Sequence, residues 1–278
     1  MNDSYSSNYF KSYNGFEKLY FQKFDFGNGK KVSNKKQVIA VHDAGLYHNQ
    51  YEKLIESIDG QDVSFYCLDL KGHGLSSGSR NQIDDLNECS LDLASLINIK
   101  AVIKEGPLYL MGSGLGATLI LNLLFFHSNI LKRKIDGIIL VNPIFNYGPK
   151  KPNVVKILSS FIKKKNNFKV SYSQTGYDLT DELSCAERYN SDPLVDFTFP
   201  LSFIDEINNI GQRVVNFSYF IDLPTLLLSS NDDYRKFELS VRPELLTHLS
   251  YSGKKRDILN DKQRKKCFND IMNWLRGS

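Results

Sequence analysis

Pro107-Leu108-Tyr109-Leu110-Met111-Gly112-Ser113-Gly114-Leu115-Gly116-Ala117-Thr118 runs from a short apolar segment, through a turn with three glycines, into a helical pattern that continues to Phe126. A run this short, bounded by turn residues, reads as a strand buried on both faces. A strand passing directly into a helix is the repeating unit of a parallel sheet covered by helices.

The same unit recurs on both sides of this stretch. Val38-Ile39-Ala40-Val41, Phe65 to Leu70, Gly137 to Val141, Thr225 to Leu228 and Leu249 to Tyr251 are further apolar runs. Helical patterns over Tyr51 to Ile58, Leu86 to Ile103 and Asp261 to Leu275 separate most of them. Upstream, Lys18-Leu19-Tyr20-Phe21-Gln22-Lys23-Phe24 alternates as a strand does and ends in a glycine turn. The predicted class is α/β, a mostly parallel central sheet with helices on both faces. The rhythm stops between residues 144 and 221, which reads as a cap inserted over the carboxyl ends of the strands, where such sheets bind ligands. The predicted organisation is a polar tail over residues 1–9, a core over 10–143 and 222–278, and a cap over 144–221.

Composition narrows the function classes. Of 278 residues, 41% are hydrophobic, enough for a sizeable core. A net charge of +4 does not point to nucleic acid, and no nucleic-acid partner is expected. Cys67, Cys89, Cys185 and Cys267 are scattered without metal-ligand spacing, so they read as reduced thiols in a cytoplasmic chain, with no metal and no cofactor. No segment reaches the roughly 18 apolar residues of a membrane helix. No basic and apolar leader opens the sequence. Between residues 137 and 177 there is no acidic residue and there are seven lysines, Lys150, Lys151, Lys156, Lys163, Lys164, Lys165 and Lys169. Apolar residues interleave at helical spacing, so this part of the cap is either an ordinary amphipathic helix or a basic face for an anionic membrane surface.

Three segments, taken in order, carry a family resemblance. They are Val41-His42-Asp43-Ala44-Gly45, then Leu68-Asp69-Leu70-Lys71-Gly72-His73-Gly74-Leu75-Ser76, then Gly112-Ser113-Gly114-Leu115-Gly116. Tyr189-Asn190-Ser191-Asp192-Pro193-Leu194 and Ile258-Leu259-Asn260-Asp261 add to them. The set resembles the monoacylglycerol lipase and lysophospholipase branch of the α/β hydrolases, and it spans residues 15 to 275. The resemblance implies a serine, aspartate and histidine in that chain order, with the serine at the strand-to-helix elbow. It places the nucleophile position at Gly114, between Gly112 and Gly116. Ser113 is a poor substitute, since its flanks would be Met111 and Leu115. The acid position falls on Asp233, with neighbouring Asp232 the lesser candidate. The histidine position falls on Arg256, and an arginine stays protonated and cannot act as a general base. The oxyanion donors fall on the backbone amides of Ala44 and Leu115. Asp43 stands where the family has glycine, and it narrows that hole or brings a carboxylate toward it.

Losing the serine and histidine of such a unit costs on the order of a millionfold in turnover. The expectation is therefore a non-catalytic hydrolase-like protein that keeps a capped pocket for an acyl or glycerolipid-like ligand, with an Arg256–Asp233 ion pair in place of the Asp–His bond. The alternatives are a carboxylic-ester hydrolase using another constellation, with Ser113 or water as nucleophile, and an interaction scaffold whose pocket has collapsed. Restoring Gly114→Ser together with Arg256→His separates a simple loss of the triad from a deeper change.

Overall fold

The computed structural model describes residues 5–25, 35–58, 62–99, 106–148, 171–217, 221–230, 241–251 and 253–278. Its main sheet holds, in chain order, β1 (Tyr5–Lys11), β2 (Lys18–Asp25), β3 (Lys36–Val41), β4 (Val63–Leu68), β5 (Leu108–Ser113), β6 (Gly137–Val141), β9 (Thr225–Ser229) and β10 (Leu246–Ser250). The spatial order is β1-β2-β4-β3-β5-β6-β9-β10. From β4 to β10 every pairing is parallel, and β1 and β2 add an antiparallel edge. The expected α/β class with a mostly parallel sheet is the observed one.

Strand periodicity sorts the core into two layers. Ile39, Val41, Leu108, Leu110, Ile138, Leu140 and Leu227 face one side. There they meet α2 (Leu86–Ile97), α3 (Leu115–Phe126) and α6 (Leu201–Phe217). Val38, Ala40, Tyr109, Met111, Ile139, Val141, Leu226 and Leu228 face the other. They meet α1 (Glu52–Glu56) and α7 (Arg264–Gly277). Burial of each Leu or Ile contributes about 1.5–3 kcal/mol, and it explains why the central strands are apolar throughout instead of alternating.

Two expectations about elements need correction. Residues 5–9, read as tail, belong to β1, which pairs with β2 from Tyr5↔Phe24 to Lys11↔Lys18. An edge strand has a partner on one side only, so its sequence need not be apolar. The last strand begins at Leu246, three residues before the run at Leu249. Its residues are half-buried or exposed, which removed the apolar signal.

Between β6 and β9 lie a small two-stranded sheet, β7 (Ser171–Ser173) with β8 (Thr198–Pro200), and the helices α4 (Gly176–Leu179), α5 (Leu183–Ser191) and α6. The lysine cluster at positions 150 to 169 lies outside the described residues. Among those described, no helix is long and apolar enough to cross a membrane.

Candidate active site

In the sheet, β3 has β4 on one side and β5 on the other. Chain order reverses across the β3–β5 pair, and the crevice at the carboxyl ends of such a pair is where open α/β sheets bind ligands. Two loops leave the sheet there. One follows Val41 and carries His42, Asp43, Ala44 and Gly45; the other follows Ser113 and carries Gly114. Gly112 lies opposite Val41 in the ladder. A Cβ on Gly112 would collide with the backbone of Ala117, and one on Gly116 with the carbonyl of Val41. Glycine at both places lets strand and helix approach closely.

Gly114 has φ +53° and ψ −115° and opens α3. This lies outside the regions an L-residue occupies without strain, and such strain of about 1–3 kcal/mol is typical of functional turns. Glycine adopts it freely. The space on its side-chain side is filled: a Cβ built there would lie well inside contact with the Asp43 carboxylate.

That carboxylate is the centre of the site. Asp43 is 1% exposed. Its Oδ1 accepts hydrogen bonds from the backbone N–H of Ala44 at 2.7 Å and of Leu115 at 2.9 Å. These are the two amides on which the family resemblance places the oxyanion donors. The N-terminus of α3 adds its dipole to the same anion. On the other oxygen, Arg256 Nε lies 2.8 Å from Oδ2. The Arg256 guanidinium stacks 4.8 Å from the Tyr147 ring centre and donates to the Tyr147 hydroxyl at 3.3 Å. Burial alone would lower the Arg256 pKa, but Asp43 and then Tyr147 raise it on balance, so the guanidinium keeps its charge.

Among the described residues, the carboxylate that Arg256 meets is that of Asp43. Asp233 and Asp232 lie outside the described residues. The Asp43–Arg256 pair was not legible in the sequence, because the two residues are distant in it and a strand-end aspartate carries no sign of which way its side chain turns.

Ser113 is 1% exposed and accepts from Gln50 Nε2 at 3.1 Å. The same Nε2 lies 3.2 Å from Asp257 Oδ1, while Gln50 Oε1 accepts from the Asp43 amide at 2.9 Å. Nothing in the sequence singled out Gln50. Four of the five histidines are hydrogen-bonded to groups outside this site. His42 Nε2 accepts from the Leu70 amide, and His48 bonds Asp69. His73 bonds the Lys71 carbonyl, and His248 bonds Ser229. His127 ends α3.

Asp257, next to Arg256, is 1% exposed. Tyr189 from α5 donates to it at 2.5 Å and Asn260 at 3.1 Å, so this carboxylate ties α5 to the core. Burial raises its pKa from 3.8 to about 6, against the lowering effect of those hydrogen bonds. An acid with a raised folded-state pKa contributes stability below its unfolded value and loses it as pH rises through the folded one. Between about pH 4 and pH 6 the wild type therefore loses stability from this group. Asp257→Asn is expected to have a shallower loss over that window, measured by urea denaturation at successive pH values. An unchanged slope would refute this role for Asp257.

A family model described as serine aminopeptidase, S33 matches residues 32–250. The chain belongs to this family. It is a monoacylglycerol lipase-like α/β hydrolase. It is 25% identical over 205 residues to the monoglyceride lipase of Rattus norvegicus, covering 72% of this chain and 65% of the relative. It is 23% identical to the monoglyceride lipase homolog of Monkeypox virus, covering 88% and 91%. The chain spans only 34% of another relative, the Escherichia coli protein YnbC. Among solved structures it superposes on a soluble variant of monoglyceride lipase from Saccharomyces cerevisiae with a TM-score of 0.81 at 20% identity, covering 99% and 96%. The monoacylglycerol lipase of Paleococcus ferrophilus gives 0.75 at 23%, covering 92% and 98%. These likenesses establish the fold.

Proposed function

We propose that this chain is a non-catalytic member of its family, with Gly114 at the nucleophile position, Arg256 at the histidine position and Asp233 at the acid position. One observation carries the reading: the Asp43 carboxylate occupies the two amides of Ala44 and Leu115 that would otherwise stabilise a developing oxyanion. Acyl transfer needs a nucleophile, a base and free oxyanion donors. Glycine has no nucleophilic atom, arginine cannot take a proton, and the donors already have an anion. Ser113 does not rescue the chemistry, because it is buried and bonded to Gln50 with no imidazole beside it. The retained role is binding of an acyl or glycerolipid-like ligand beneath the cap. The yeast relative, solved in complex with a substrate analog, supports that ligand class. A cytoplasmic location, peripheral at anionic membranes through the lysine-rich part of the cap, fits this role.

The test is intact-protein mass spectrometry after treatment with a fluorophosphonate probe. The expected result is an unmodified mass and no hydrolysis of monoacylglycerol. An adduct that disappears in Ser113→Ala would overturn the proposal in favour of a serine hydrolase of unusual constellation.

A further inference from the structure

An oxyanion hole serves a fleeting alkoxide and has no cation of its own. The arrangement around Asp43 differs on both counts. Its anion is a stable carboxylate, held by two backbone N–H groups on one oxygen and a guanidinium on the other. Paired amides, a helix N-terminus and an arginine together form a receptor for a carboxylate. The occupant is fixed by its own backbone: the Asp43 amide is held by Gln50, and its carbonyl by His42 Nδ1 at 2.7 Å.

We propose that Ala44, Leu115 and Arg256 form a binding site for a single carboxylate, which the chain fills with its own Asp43 and which takes a free monocarboxylate when that side chain is shortened. This rests on geometry, and it stands whether or not the protein hydrolyses esters. In the wild type the internal carboxylate is tethered at high effective concentration, so free carboxylates do not displace it. A ligand beneath the cap therefore meets a closed head site.

The experiment compares melting temperatures of wild type, Asp43→Ala, Asp43→Asn and Asp43→Ala/Arg256→Met in sodium acetate and in sodium chloride of equal ionic strength, at pH 7. Asp43→Ala is expected to melt below wild type and to recover by about 5 °C, saturably, in acetate but not in chloride. Wild type is expected not to respond. Asp43→Asn fills the space with a neutral amide, so it is destabilised but does not respond to acetate. The double variant loses most of the response, because the cation is gone. If Asp43→Ala does not fold in plain buffer, refolding yields decide: recovery in acetate alone supports the proposal, and recovery in neither salt overturns it. A folded Asp43→Ala with no acetate-specific shift, or an equal shift in wild type, also overturns it. Mass spectrometry with the fluorophosphonate probe is independent of this outcome, so failure here is distinguishable from failure of the proposed function.

Discussion

Gly114→Ser is expected to destabilise the protein by roughly 4 to 9 kcal/mol and to yield no esterase activity, alone or with Arg256→His. The new Cβ would fall on the Asp43 carboxylate. Asp43 must then leave two buried N–H groups, each bond to a charged acceptor being worth about 1.5–3 kcal/mol. The serine must also hold φ near +53°, at a further cost of about 1–3 kcal/mol. Gly114→Ala should cost nearly as much, since the clash lies at Cβ and not at the hydroxyl. Adding Arg256→His makes matters worse above pH 7, where a neutral imidazole no longer balances Asp43. A nucleophile and base alone therefore do not rebuild the site; residue 43 must change as well. Chemical denaturation and nitrophenyl-ester assays of the two variants check this. A stable, active double variant would contradict it.

The second large effect belongs to Arg256→Met. Breaking a buried ion pair by removing one partner costs about 3–5 kcal/mol, because the other charge is left in a poorly solvated place. Asp43 is nearly inaccessible, but the Arg256 side chain is 21% exposed, so water offsets part of the loss. The expected destabilisation is roughly 2 to 4 kcal/mol at pH 7, read from the urea midpoint. Arg256→Lys keeps the charge but not the planar group stacked on Tyr147, and should lie between wild type and Arg256→Met. A loss below about 0.5 kcal/mol for Arg256→Met would mean that the pair contributes nothing to the fold.

The sheet was legible because its central strands are buried on both faces and announce themselves as short apolar runs. Gly137–Val141 matches the run in sequence residue for residue. The elbow was legible for a related reason. Gly112, Gly114 and Gly116 are demanded by backbone geometry within a few residues of one another, and local demands leave local signatures. Elements at the margin were legible only in part. β1 is an edge strand rich in serine and asparagine, and β10 has no fully buried residue.

At the site, the amides of Ala44 and Leu115 were singled out through the family resemblance, but the carboxylate that they hold was not. Whether Asp43 swings into the hole depends on Arg256, Gln50 and Leu115, which are brought together only by the completed sheet. Asp43, Gly114 and Arg256 were each singled out in the sequence. That they form one interlocked unit was not legible there. Glycine at 114 leaves room for the carboxylate, and arginine at 256 balances it.

The most direct measurement is the energetic coupling between positions 43 and 114. Urea denaturation of wild type, Asp43→Gly, Gly114→Ser and the double variant gives it as a closed cycle. If the carboxylate lies where a side chain at 114 would project, Gly114→Ser costs at least about 2 kcal/mol less in the Asp43→Gly background than in wild type. Equal costs in both backgrounds, agreeing within about 0.5 kcal/mol, would place Asp43 elsewhere and contradict the account.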